Sequence, residues 1–176
     1  MVRQYLLILL LFGFGIEEAD DKESECLRRL RFFIGEWELQ TRDLQPDGSF
    51  KKGQAISSAR YILDQTAIQD DFKALDDSGE VIFRGITIRS CRTDSPGYII
   101  IWVMPGREGL TDLRANWEHD RLSGEGKGYD DYGNFLERFE YYHITDSSYS
   151  FRMQRSYDNG KTWLKSFSSI EATKTQ

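Results

Sequence analysis

After Gly35 the chain is punctuated by turns at short, nearly regular intervals. Gln45-Pro46-Asp47-Gly48, Asp76-Asp77-Ser78-Gly79, Asp94-Ser95-Pro96-Gly97, Pro105-Gly106, Glu118-His119-Asp120, Tyr129 to Gly133, Thr145-Asp146-Ser147 and Asp158-Asn159-Gly160 follow one another, most of them 11–18 residues apart. Glycine supplies left-handed backbone in such turns, and Asp or Asn side chains cap it. The intervals are too short for βαβ crossovers, which excludes a parallel sheet. The stretches between turns read as strands near 36–44, 50–62, 66–75, 80–91, 98–104, 110–118, 121–128, 134–144, 148–156 and 162–172. Successive strands joined by tight turns form an antiparallel meander. A sheet of that many strands curls, and closure removes its edges. The expectation is an all-β fold: a single antiparallel up-and-down barrel of about ten strands, preceded by a short N-terminal helix. A β-sandwich is the competing arrangement.

The helix rests on Leu27, Leu30 and Ile34, which share one face at helical spacing. Ahead of it, Tyr5 to Phe14 is an unbroken apolar run behind Arg3, with small residues at Gly13 and Gly15. This is the plan of a secretory signal peptide, and the run is too short to span a membrane. The domain reading is therefore a signal peptide over 1–15, a flexible charged lead-in over 16–25 and a barrel over 26–174, in an exported protein with no membrane span after cleavage. Export would let Cys26 and Cys91 pair, closing a loop that adds about 4 kcal/mol; two buried free thiols are the alternative.

Alternation refines the picture. In 110–118, Leu113, Ala115 and Trp117 oppose Asp112, Arg114 and Asn116, giving one apolar and one polar face. In 98–104 both faces are apolar: Ile99, Ile101 and Val103 on one, Tyr98, Ile100, Trp102 and Met104 on the other. Both should be covered. The second cover is either the helix at Leu27 and Leu30 or a second copy in a homodimer.

Composition excludes several functions. The net charge of −6 and a pI near 5.0 argue against nucleic-acid binding. Two Cys and two His are too few for a Cys/His zinc cluster, and nothing implies a cofactor or metal. Leu122-Ser123-Gly124-Glu125-Gly126-Lys127-Gly128 is no phosphate loop: it lacks the required glycine spacing and no helix follows. Its alternate glycines empty one face of a strand, for a barrel corner, a slot for Trp102 or Trp117, or a ligand's close approach. The acid pairs Asp70-Asp71, Asp76-Asp77, Asp130-Asp131 and Glu137/Glu140 fit no calcium loop, and no catalytic pair is assignable.

Phe32-Phe33-Ile34-Gly35-Glu36-Trp37 resembles the opening of lipocalin-like (calycin) barrels. There the Trp plugs the narrow end and the Gly lets the chain bend into the first strand. From Leu27 to Thr173 the chain also resembles an uncharacterised bacterial domain family with such a barrel. The likeness lies in FFIGEWEL, IIWVMPGREG, LTDLRANWE, LSGEGKGYD and SYDNGKTW. That resemblance implies a fold and often export, and it implies no reaction; ten strands exceed the eight of true lipocalins. Ser156 to Trp163 is similar to the Asp-box of sialidases, which implies a hairpin with Asp158 accepting backbone N–H groups and Trp163 packed against it. A sialidase propeller would need several repeats, and one is present.

A small barrel has room for its own side chains or for one small ligand. The expected contacts are Trp102, Tyr141 and His143 with the charged Arg60, Asp71, Arg114, Glu137 and Arg155. An apolar pocket with one or two fixed charges suits a small hydrophobic or amphiphilic molecule carrying an acid group. His143 is placed there because it shares strand parity with Tyr141; a hydrogen-bonded His at a barrel rim is the plainer role. The leading function is ligand binding without catalysis. The alternatives are a filled barrel that self-associates or binds protein, and an isomerase or hydrolase using the same pocket.

Overall fold

The computed structural model describes residues 25–106 and 109–175. The signal-peptide stretch 1–15 and the lead-in up to residue 24 lie outside the described residues. A four-residue helix α1 (Glu25–Arg28) and a 3₁₀ turn (Arg31–Phe33) lead into ten strands. These are β1 (Gly35–Leu44), β2 (Phe50–Ile62), β3 (Ala67–Leu75), β4 (Val81–Cys91), β5 (Tyr98–Val103), β6 (Leu110–Glu118), β7 (Arg121–Asp130), β8 (Gly133–Tyr142), β9 (Ser148–Ser156) and β10 (Leu164–Lys174). Each pairs antiparallel with the next, and β10 returns to β1 through pairs from Trp37–Lys174 to Asp43–Ser168. The barrel is closed, so no edge is left to pair with another chain. No helix among the described residues is long and apolar enough to cross a membrane.

Register decides which residues face inward. Trp37 and Leu39 of β1 pair with Ser57 and Ala55 of β2, and the same inward set continues round the ring. It passes through Ile68, Asp70, Phe72, Gly85, Thr87, Arg89, Ile100, Trp102, Leu113 and Ala115 to Gly124, Gly126, Glu137, Phe139, Tyr141, Phe151, Met153 and Arg155. On β7 the inward side is the row Gly124, Gly126, Gly128. A Cβ at Gly124 would stand 2.6 Å from the Phe139 ring, and one at Gly128 2.5 Å from the Phe135 ring. The slot therefore takes those two phenyl rings, and neither Trp102 nor Trp117. Trp102 lies instead against Gly85, where a Cβ would collide with its indole.

The helix does not cover the outer face of β5. It seals one end of the barrel, with Leu27 and Leu30 fully buried. The outer residues Ile99, Ile101 and Val103 stay half-buried beside Ile86 and Ile88 of β4. At the opposite end the β9–β10 connection forms the hairpin that the Asp-box likeness implied. Asp158 accepts from the Thr162 amide at 2.9 Å, the Thr162 hydroxyl at 2.6 Å and the Ser156 hydroxyl at 2.8 Å. Gly160 has φ 83°, and the Trp163 indole donates to its carbonyl at 3.1 Å.

Candidate functional site

The two ends of the lumen differ. At the closed end, Trp37 and Phe33 are 1% exposed, and the Trp37 indole donates to the Phe33 carbonyl at 2.8 Å. Trp37 packs on Tyr149 at 4.8 Å and Phe33 edge-on to Tyr141 at 4.9 Å between ring centroids. Gly35, with φ 120°, makes the bend that brings Phe33 back over Trp37. A Cys26–Cys91 disulfide ties the short helix to the end of β4. Tyr98 completes the seal, accepting from the Trp117 indole and donating to the Cys26 carbonyl, both at 3.1 Å.

Above this plug an arginine crosses the lumen. Arg89 of β4 is 2% exposed, and its guanidinium stacks on the Phe33 ring at 3.9 Å. Its Nη1 donates to Asp70 at 3.2 Å and its Nη2 to the Tyr141 hydroxyl, on the far wall, at 3.3 Å. Asp70 also accepts from Ser57 at 2.5 Å. Burial opposes the charge on Arg89, and Tyr141 and Asp70 more than offset it, so the group stays a cation. Burial raises the Tyr141 and Tyr149 hydroxyls above the ordinary phenol range, so both stay neutral. Arg89, Asp70, Tyr141 and Phe33 together form a floor.

Between floor and mouth the walls are unequal. Five places apart round the ring stand β3 and β8, β4 and β9, β5 and β10. One wall carries Phe72, Phe83 and Trp102, with ring centroids 5.7 Å (Phe72–Trp102) and 6.3 Å (Phe83–Trp102) apart. The other carries Arg155, which donates to Glu137 at 2.8 Å and Asp130 at 2.9 Å and lies over the Phe135 ring at 3.9 Å. Tyr157 donates to Asp130 at 2.7 Å, and burial together with that bond pushes its hydroxyl up to about 12. Burial pushes the Glu137 carboxyl above the ordinary carboxylate range, against the pull of Arg155. Phe72, Trp102, Phe151, Met153 and Ile170 point inward yet are only half-buried. These inward, half-buried residues are the candidate lining of a cup inside the barrel.

Of the residues expected at a pocket, the structure brings Trp102, Glu137, Tyr141 and Arg155 into the lumen. It places the other four elsewhere. Arg60 and Asp71 face outward and pair with each other at 2.7 Å. Arg114 faces outward and pairs with Asp112. His143 follows the end of β8 in left-handed backbone, φ 52°, which breaks its parity with Tyr141 and leaves it exposed against the Tyr142 ring. The acid pairs are split by the wall: Asp70 and Glu137 are inside, Asp71 and Glu140 outside. Glu140 bonds Arg121 and Arg152 on the outer surface. The residues that sequence reasoning did not single out are Arg89 and Ser57. A separate outer groove of about 550 Å³ runs along β6 to β9, lined by Arg114, Glu125, Arg138, Glu140 and Arg152.

Comparison with solved structures shows the same architecture. The crystal structure of Rv2717c from M. tuberculosis aligns with a TM-score of 0.64 at 11% identity, covering 88% of this chain and 100% of that one. The S-type phycobiliprotein lyase CPES from Guillardia theta aligns with a TM-score of 0.50 at 11% identity, covering 84% and 93%. Both are lipocalin-like barrels, and at this identity the likeness concerns the fold alone. No family model matches the sequence. No curated protein matches it either.

Proposed function

We propose that the chain is exported and holds one small hydrophobic or amphiphilic molecule in its lumen, without catalysing a reaction. The observation that supports this is a set of apolar side chains that face the barrel interior and are only half-buried. Phe72, Trp102, Phe151, Met153 and Ile170 would gain from burial against a ligand, at about 25 cal/mol for each Å² covered. The fold is consistent with ligand binding, and one similar solved structure is a phycobiliprotein lyase. Export rests on the N-terminal pattern, and a disulfide fits an oxidising compartment.

The test is native mass spectrometry of freshly purified protein together with titration by N-phenyl-1-naphthylamine, a neutral dye that brightens in apolar surroundings. Binding of one dye per chain, or a co-purified mass that the dye displaces, is expected. A preparation with neither has no working lumen site.

A second reading is self-association through the outer faces of β4 and β5, where Ile86 pairs with Val103 and Ile88 with Ile101 in one half-buried apolar ladder. Sedimentation velocity checks it: a dimer that Ile101→Lys dissociates supports the reading, and a monomer at all concentrations removes it.

A further inference from the structure

Arg89 has a donor left over. Its Nε is buried and has no hydrogen-bond partner, the one such side-chain atom among the described residues. A buried donor without a partner is costly, so something belongs opposite it. The stereochemistry of the guanidinium says where. Nε–H and one Nη2–H lie parallel along one edge, the edge with which arginine grips an oxygen acceptor. Arg92 uses that edge in this molecule, holding Asp94 through Nε at 3.0 Å and Nη2 at 3.1 Å. At Arg89 that edge is not filled in this way: Nη2 donates to the Tyr141 hydroxyl at 3.3 Å and Nε has no partner. Arg89 faces inward on β4, so this unpartnered Nε lies inside the barrel. Tyr141 and its cross-strand neighbour Phe151 face inward beside it and are only half-buried.

Charge decides what can sit there. Among the described residues, the floor and the walls above it carry two inward-facing cations, Arg89 of the floor and Arg155 of the wall. Arg89 is matched by Asp70, and Arg155 by Glu137 and Asp130. A carboxylate would bring an unmatched negative charge beside buried Asp70. A carbonyl oxygen brings an acceptor without that charge. We propose that the ligand enters polar tip first, that its tip is an uncharged carbonyl such as an amide or ester, and that this oxygen accepts from Arg89 Nε at the floor. The apolar remainder lies along Phe72, Trp102 and Met153 toward the mouth. This rests on the lumen-binding reading above and replaces the acid group expected from the sequence.

The experiment uses the oxidised, ¹⁵N-labelled protein, three probes (decanamide, decanoate and decane) and two readouts. The first is displacement of N-phenyl-1-naphthylamine at pH 8. The second is the arginine Nε–H signal of Arg89, assigned by its loss in Arg89→Lys and independently by its shift in Tyr141→Phe, which keeps the ring packing. Decanamide is expected to displace the dye about fivefold better than decane or decanoate and to move the Arg89 signal, while decane displaces without moving it. Equal displacement by amide and alkane, preference for decanoate, or an Arg89 signal identical with decanamide and decane would overturn the proposal. The last result means that a trapped water keeps the donor. Those outcomes leave lumen binding standing. If no probe displaces the dye, or the dye does not bind, lumen binding fails and this inference goes with it.

Discussion

The two ends of this barrel are built from the same kinds of residue and do opposite things with them. Both are rich in aromatic rings. At the closed end, Phe33, Trp37 and Tyr149 interlock until almost none of their surface is left, and a disulfide fastens the helix over them. At the mouth end, Phe72, Phe83 and Trp102 touch one another yet stay half-buried, with no segment among the described residues packed over them as Leu27 to Phe33 is over the plug. Ring supply does not decide whether a barrel is filled; a chain segment that enters the lumen does. Here that segment is Leu27 to Phe33, and among the described residues only one end has one.

The comparison can be broken most forcefully at the plug. Trp37→Ala leaves an indole-sized void in fully packed surroundings and should cost about 4 kcal/mol in denaturant unfolding. Replacing both Cys26 and Cys91 by Ser frees a loop with 65 residues of sequence separation. It should cost about as much, about 4 kcal/mol on the chain-entropy account. The mouth half has a smaller steric weak point at Gly126, where a Cβ would press on the Asp112 carbonyl and stand 2.8 Å from the Leu113 Cα. Gly126→Ala should cost about 2 kcal/mol by the same measurement. Trp102→Ala sharpens the contrast from the other side. A half-buried ring should cost stability only about 1–2 kcal/mol, while dye affinity falls about tenfold as the cup loses a wall. A variant at the plug should show the reverse ratio.

The smallest effect concerns the Asp-box hairpin at the mouth. Bonds from Thr162 and Ser156 hold the Asp158 carboxyl at about 2, below its ordinary 3.8. The folded-state value is depressed, so this group's contribution is complete above 3.8 and is lost as pH falls from there toward about 2. Thermal melts of wild type and Asp158→Asn should differ by a constant amount at neutral pH and converge over that acid window. A difference unchanged down to pH 2 would mean that the carboxylate charge plays no part.

How much of this was legible in the sequence depends on the strand. The turns set the strand count, and Gly35-Glu36-Trp37 marked the plug, because each is a local signal. Alternation on β6 was equally clear, since Leu113, Ala115 and Trp117 face in. β4 misleads. Its two faces are Phe83, Gly85, Thr87, Arg89 and Ile82, Arg84, Ile86, Ile88. The face with more isoleucine is the outer one, and the arginine lies inside. Parity says which residues share a face, not which face is inner. The disulfide held the missing sign: Cys91 has the parity of Arg89, and a bridge to the plug at Cys26 turns that face inward. The placement of Asp70 and Asp71 on opposite sides of the wall was likewise fixed by register alone. His143 lay beyond reach because left-handed backbone, unmarked by glycine, ended its strand early.

The cup itself is tested most directly by a crystal structure of the protein with N-phenyl-1-naphthylamine bound. The dye should lie inside the barrel, its rings against Trp102 and Met153, with the Phe33–Trp37 plug unmoved beneath Arg89. Dye found in the outer groove between Arg114 and Arg152, with the lumen closed by side chains, would contradict the account.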